Sequence, residues 1–400
     1  MERTEEKNTS QIIIIFIAAA VLLMQVCGFV KKEQTNIRQG EGTASLLNDE
    51  QIEQQVEEIL ASMSIEQKIY QMFIVTPEAL TDGVNVTTAD ETMCSMLKER
   101  PVGGLVYFSG NLINTEQTKE MLHCTQQYAT DIEGMPLFLG VDEEGGKVAR
   151  IGNNKGFDVP KIGAMGKIKS EEDAYEAGNV IGTYLSELGF NLDFAPDADV
   201  LTNQKNTVIG NRSFGSDAKT VLRYASAYAD GLHNNSILST FKHFPGHGAT
   251  EADTHEGFAY TDKTYEILLQ SELVPFAGAE EAGADFIMVS HISVPNITGD
   301  YTPCSLSYKM VTEILRGDLG YEGIIITDAM NMGAIVKKYT SDEAAVMAIQ
   351  AGVDVILMPK DFKQAAEGVL AAVNSGTITK ERIDESVRRI LKVKLSHGKP

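Results

Sequence analysis

The chain has 400 residues, 43% hydrophobic and 22% charged, an ordinary globular composition with enough length for a large core. Its formal net charge of −22 argues against a nucleic-acid partner, because phosphate recognition needs a basic patch; solubility accounts for the acidity. Beyond the N-terminal region the cysteines are Cys94, Cys124 and Cys304. Their spacing matches no metal site, and they are read as buried or incidental thiols, with a Cys94–Cys124 bridge as the alternative.

Residues 1–11 are polar, and residues 12–30 form an apolar run interrupted only by Gln25. A helix over that run spans roughly 28 Å, close to one bilayer core. No small-x-small cleavage pattern follows it, and Met24-Gln25-Val26 ahead of Cys27 is a poor lipoprotein box. The run is read as an uncleaved cell-membrane anchor, with secretion behind a cleaved signal as the alternative. Arg3 and Lys7 before it, and Lys31, Lys32 and Arg38 after it, do not favour an N-terminus inside. An extracytoplasmic catalytic domain is expected from the chemistry downstream.

Residues 31–48, with Glu, Gln, Thr and Gly, read as a linker. Helical periodicity over 49–63 opens a folded domain that runs over 49–400. Strand candidates follow at 71–75, 104–108, 137–141, 191–196, 236–242, 285–290, 323–327 and 353–358. Each is short and rich in Val, Ile, Leu or Phe, as strands buried on both faces are. They alternate with amphipathic helices, and a last such helix covers 380–395. This pattern predicts an α/β fold, a (β/α)8 TIM-type barrel forming a single catalytic domain. No G-x-G-x-x-G follows an early strand, which weighs against a doubly wound sheet.

The polar signatures fall just after strand candidates: Asp142-Glu143-Glu144-Gly145-Gly146, Asp197, Lys242-His243, His291 and Asp328. Active sites of such barrels lie at the C-terminal ends of the strands. Three of the seven histidines, His243, His247 and His255, lie in one short window. Pro245, Gly246 and Gly248 keep that window from being a regular helix. Asp253 and His255, one residue apart, suit a base held by an orienting acid; an incidental loop is the plain alternative. An imidazole pKa of ~6.5 fits a group that donates and accepts near neutrality. Asp328 is either a working carboxylate or the N-cap of a helix beginning at Ala329. Asp142, Arg150, Arg212, Lys242 and His243 supply donors and acceptors for sugar hydroxyls, with an ordinary salt-bridge network as the alternative. The three histidines lack the helical spacing of a zinc site and have no cysteine nearby, so no metal is expected.

Four motifs in order make the resemblance specific: Val141 to Arg150 (VDEEGGKVAR); Phe194 to Val200 (FAPDADV) with Val208 to Gly215 (VIGNRSFG); Lys242 to Gly248 (KHFPGHG) with Asp253-Thr254-His255; and Gly323 to Met330 (GIIITDAM). The chain resembles glycoside hydrolase family 3, and most closely its β-N-acetylglucosaminidase branch, over about residues 65–395. The resemblance implies a retaining mechanism in which Asp328 is the nucleophile and His255, partnered by Asp253, is general acid and then base. That departs from the usual pair of carboxylates. It also implies that Asp142, Arg212, Lys242 and His243 hold the terminal sugar. Two positions depart from the family pattern, Lys147 for an Arg and Asn211 for an Asp, and they bear on affinity more than on chemistry.

The expectation is a membrane-anchored exo-β-N-acetylglucosaminidase acting on terminal non-reducing GlcNAc of peptidoglycan fragments or chitooligosaccharides. It needs no cofactor, since Asp328, His255 and Asp253 complete the proton transfers and the attack. The rivals are a β-glucosidase or glycoside phosphorylase on the same barrel, and a catalytically silent wall-binding protein. Oligomeric state stays open.

Overall fold

The computed structural model describes residues 49–250 and 259–397. The expected anchor and linker, together with Asp253 and His255, lie outside the described residues. Among the described residues no helix is long and apolar enough to cross a membrane.

Among the described residues eight parallel strands form the barrel: β1 Phe73–Val75, β2 Gly104–Val106, β3 Phe138–Val141, β4 Leu192–Asp193, β5 Thr240–Phe244, β6 Phe286–Val289, β7 Ile324–Thr327 and β8 Ile356–Leu357. Regular ladders join β8-β1-β2-β3-β4 and β5-β6-β7. Single bridges close the two gaps, Leu192 to Leu238 and Asp197 to Lys242 on one side, Ile326 to Val355 on the other. A closed barrel has no free edge, and each strand is buried along its length. A small antiparallel hairpin, Glu143–Gly145 with Val148–Ala149, follows β3 directly.

All eight expected strands are present, but each is trimmed or shifted. Gln71 belongs to the helix Ile65–Gln71, whose capping box is made by Ser64 and Gln67. The expected strand 236–242 starts later, at Thr240, because Ser236 turns with φ 59°. The apolar residues outside the ladders are still buried, so burial outlasts strand pairing.

Helices line the outside, and the sequence punctuates them. Asn114, Ser170, Asp217 and Asp361 each accept an N–H from the first turn of the helix they precede. Such caps are worth ~1 kcal/mol each. Gly134, Gly189 and Gly352 end helices in the left-handed region, where a Cβ is strained. Helices Glu171–Leu188 and Ala218–His233 pack very closely. A Cβ on Gly178 would lie 2.1 Å from the Tyr228 carbonyl oxygen, and one on Gly231 would lie 2.3 Å from that of Tyr175.

Among the described residues the first and last helices, Asp49–Ser62 and Lys380–His397, pack together and bury Ile52, Val56 and Leu60 beside Val387, Ile390 and Leu391. Full burial of one such side chain is worth ~1.5–3 kcal/mol. Ion pairs Glu57–Arg388 and Glu53–Lys392, both 2.6 Å, edge the contact. Inside the barrel floor, Phe138 of β3 meets Phe286 of β6 edge to face at 5.2 Å.

Candidate active site

The site residues come from the C-terminal ends of the strands, where the barrel leaves side chains facing its mouth. β5 contributes Lys242 and His243. The pairing of β5 with β6 shifts register between Lys242 and Phe244, a bulge of the kind that re-aims side chains. Lys242 Nζ lies 3.0 Å from Asp142 Oδ1 and 2.6 Å from Glu144 Oε1. Asp142 follows β3, and Glu144 is set in the hairpin. Arg212, on the short turn Gly210–Arg212, grips Glu144 with two bonds, Nε to Oε2 at 2.8 Å and Nη2 to Oε1 at 2.7 Å. Its Nε is also 3.3 Å from Asp197 Oδ2.

Asp199 ties the next layer. Its Oδ2 lies 2.7 Å from His243 Nδ1, and its Oδ1 accepts the His247 N–H at 2.5 Å. His243 Nε2 then faces Arg212 Nη2 at 3.4 Å. Burial, with the Arg212 guanidinium beside it, pushes the His243 imidazole down to about 4. Neutral His243 therefore donates Nδ1–H to Asp199 and turns its Nε2 lone pair toward Arg212.

The carboxylates are pushed apart. Burial, reinforced by neighbouring Asp199, raises Asp197 to about 7. Burial also raises Asp199, against the pull of His247 and Arg212. Burial opposes ionisation of Glu144, but Arg212 and Lys242 outweigh it and hold the carboxyl well below the usual range. Burial likewise opposes the Lys242 charge, and Glu144 and Asp142 more than restore it. The cluster is thus a fixed field of paired charges that needs no reorganisation when a polar ligand arrives.

Arg150 and Asp142 form the more open rim. Arg150 Nη2 is 3.3 Å from Asp142 Oδ2, with side chains 30% and 21% exposed. The guanidinium stacks over Phe108 at 5.5 Å, and its buried Nε has no hydrogen-bond partner among the described residues. Glu143, beneath, braces the loop that carries Arg150. It accepts N–H groups of Ile151 and Gly152 and the Tyr184 hydroxyl, all at 2.8 Å.

Asp328 ends β7, half-buried. Its N–H donates to Val289 O at 2.8 Å, and its Oδ1 accepts Ala329 N–H at 2.7 Å. No helix begins at Ala329; the next one is Gly333–Val336, so the N-cap alternative does not hold. His291, after β6, braces the same turn: Nε2 is 3.0 Å from Ala329 O and Nδ1 is 2.8 Å from Ser305 Oγ. Asp328 also acts electrostatically on both His243 and His247, so the nucleophile candidate and the cluster share one mouth.

The structure thus gathers Asp142, Arg150, Arg212, Lys242, His243 and Asp328, while Asp253 and His255 lie outside the described residues. Sequence reasoning did not assign Glu143, Glu144 or Asp199 a site role. Their signal was present, since consecutive acids after a strand are costly unless paired. Among the described residues one group, Asp197, Asp199 and His243, brings three potential metal-ligand atoms within 4.8 Å of one another. Arg212 already supplies positive charge against two of them.

The site is the C-terminal mouth of a closed (β/α)8 barrel that carries paired carboxylates and cationic donors. Residues 64–393 match the glycosyl hydrolase family 3 N-terminal domain, and the chain belongs to that family. Beta-hexosaminidase A of Pseudoalteromonas piscicida is 32% identical over 333 residues, covering 77% of this chain and 56% of that protein. Beta-hexosaminidase LpqI of Mycobacterium tuberculosis is 34% identical over 268 residues, 65% of this chain and 68% of that protein. The solved structure of a family 3 β-N-acetylglucosaminidase from Paenibacillus sp. superposes with a TM-score of 0.78 at 36% identity, covering 84% of this chain and 63% of that one. The chain therefore spans somewhat over half the length of the first of these relatives.

Proposed function

We propose that this protein is a retaining exo-β-N-acetylglucosaminidase that removes terminal non-reducing GlcNAc from chitooligosaccharides or peptidoglycan fragments. The observation that carries the reading is Asp328, half-buried directly after β7 at the same C-terminal mouth of the barrel as the Lys242–His243 cluster. The names of its relatives support the choice of sugar.

In this reading a carboxylate oxygen of Asp328 attacks the anomeric carbon. The glycosidic bond breaks as His255, oriented by Asp253, gives its proton to the leaving oxygen. Water then attacks the glycosyl ester, passes a proton back to His255 and frees Asp328. Asp142 accepts from sugar hydroxyls, and Lys242 and Arg150 donate to them. His243, Arg212 and Glu144 fix that set in place. Residues 12–30 anchor the protein to the membrane and hold the barrel outside the cytoplasm.

The test is hydrolysis of an aryl β-N-acetylglucosaminide beside the matching β-glucoside in phosphate-free buffer. Fast release from the first alone supports the reading. Release from the glucoside at a similar rate sinks the sugar assignment. Turnover only after phosphate is added makes the protein a phosphorylase, and turnover of neither under any condition makes it a binding protein.

A further inference from the structure

Glu272 is fully buried, on the turn that leads into the helix Val274–Ala277. Burying a carboxylate is costly unless it is paired, and apolar packing in its place is often as stable. Glu272 is paired across loops. Thr202 Oγ1 and Lys263 Nζ both donate to its Oε1, and Ser271 Oγ donates to its Oε2. Lys263 Nζ also reaches Thr202 Oγ1 at 3.1 Å. The stem of the side chain lies flat against the turn after β5. A Cβ on Gly246 would lie 2.5 Å from Glu272 Cβ, and Gly246 takes φ 126°, so this approach needs glycine. One carboxylate thus joins the loop after β4, the turn after β5 and the later segment at Lys263.

These pieces flank the stretch that carries Asp253 and His255. On the near flank the loop after β4 holds the backbone. Asn203 N–H donates to Gly248 O at 3.1 Å, Asn203 Nδ2 to Thr250 O at 3.2 Å and Asn206 Nδ2 to His247 O at 2.8 Å. On the far flank Thr261 N–H donates to Ser293 O at 3.0 Å, which fastens it to the loop after β6, and Lys263 fastens it to Glu272. We propose that Glu272 is a positioning residue for proton transfer. It fixes the distance between the two flanks, and with it the reach of the Asp253–His255 pair toward Asp328. This rests on the hydrolase reading above. Asp328 itself is held from elsewhere, by Val289 O and by the turn that His291 braces. Loss of Glu272 therefore moves the proton donor and leaves the nucleophile in place. A buried ion pair suits that role, because it adds little net stability and much definition of geometry.

The test separates a step that needs the proton donor from one that does not. The dinitrophenyl glycoside of GlcNAc loses a phenolate that departs unprotonated, and diacetylchitobiose loses a sugar alkoxide that must be protonated. Glu272→Gln and Lys263→Met are expected to lower kcat/KM on chitobiose about 10²-fold and to leave the dinitrophenyl glycoside within about threefold. Lys263→Arg should keep most of the activity on both. The double variant Glu272→Gln with Lys263→Met leaves no unpaired charge, so it keeps the question open to measurement where a single change fails to fold, and it should show the same split. Equal losses on both glycosides, or none on chitobiose, overturn the positioning role. Hydrogen exchange in Glu272→Gln reads the clamp without turnover. Amides of residues 246–250 and 259–263 should both exchange faster than in the wild type, and unchanged exchange in either flank overturns the clamp. If the wild type cleaves neither glycoside, the hydrolase reading falls and the exchange alone decides the clamp.

Discussion

Asp354, just before β8 at the floor of the barrel, and Asp142, just after β3 at its mouth, are both carboxylates held between two cations. Asp354 is fully buried and saturated. It accepts from Ile325 N–H at 3.0 Å, from Ser386 Oγ–H at 2.6 Å and from Arg389 at 3.1 Å, and it pairs with Arg316. Asp142 is partly open, with its two ion pairs at 3.0 and 3.3 Å and no further donor on it among the described residues. Residue type and pairing are the same at both ends. What separates a strut from a site is the capacity left over: exposure, and donors such as Arg150 Nε with no partner among the described residues. Charge of the first kind holds a fold together, and charge of the second kind is poised to trade partners with a substrate.

The sharpest way to break the comparison is to remove one carboxylate at each end. Asp328→Ala at the mouth should cut kcat/KM by about 10⁴-fold or more while the thermal midpoint stays near that of the wild type. Steady-state kinetics beside a melting curve reads both, and near wild-type turnover would end the mechanism proposed here. Asp354→Ala at the floor should do the reverse. It strands Arg316 and Arg389 and should cost about 3–5 kcal/mol in denaturant unfolding, with kcat retained below the new midpoint.

Two smaller changes refine the picture on the structural side. Gly178→Ala places a methyl against the Tyr228 carbonyl and should cost about 1–3 kcal/mol by forcing two barrel helices apart, again with little effect on KM. Lys394 is the floor's buried cation. It bonds Gln71 Oε1 at 2.8 Å and sits 5.1 Å from the Phe138 ring. Burial pushes its ammonium down to about 7, only partly opposed by Glu133. The unfolded chain therefore binds more protons than the folded one between about 7 and the ordinary 10.5, and stability rises with pH across that window. Lys394→Met should flatten that rise, with the largest gain in stability below pH 7. A slope unchanged in the variant would mean that Lys394 is not the group responsible.

Much of the barrel was legible in the sequence because doubly buried parallel strands are apolar on both faces and need no partner to be seen. Ladder ends were not, because side chains stay buried after pairing stops, as at Ile237 and Leu238 before β5. In the site, Asp142 and Asp328 could be read from their place just after strands, and Lys242 and His243 from their place near the end of one. The grip of Arg212 on Glu144 could not, since it joins residues 68 apart in the chain, and nothing local records it. Glu143 was hidden for a similar reason. Its three donors come from the loop it braces and from a distant helix. Asp253 and His255 rest on motif alone.

The packing of the first helix on the last has a topological consequence. Glu53 meets Lys392 and Glu57 meets Arg388, so the two helices run in opposite directions. The beginning and end of the folded unit therefore lie side by side, and β8 hydrogen-bonds to β1 as any other neighbour does. In outline the domain is a ring cut at one point. A chain joined across that cut by a short turn and reopened in an outer loop keeps every strand neighbour it had, which makes the barrel a natural subject for circular permutation.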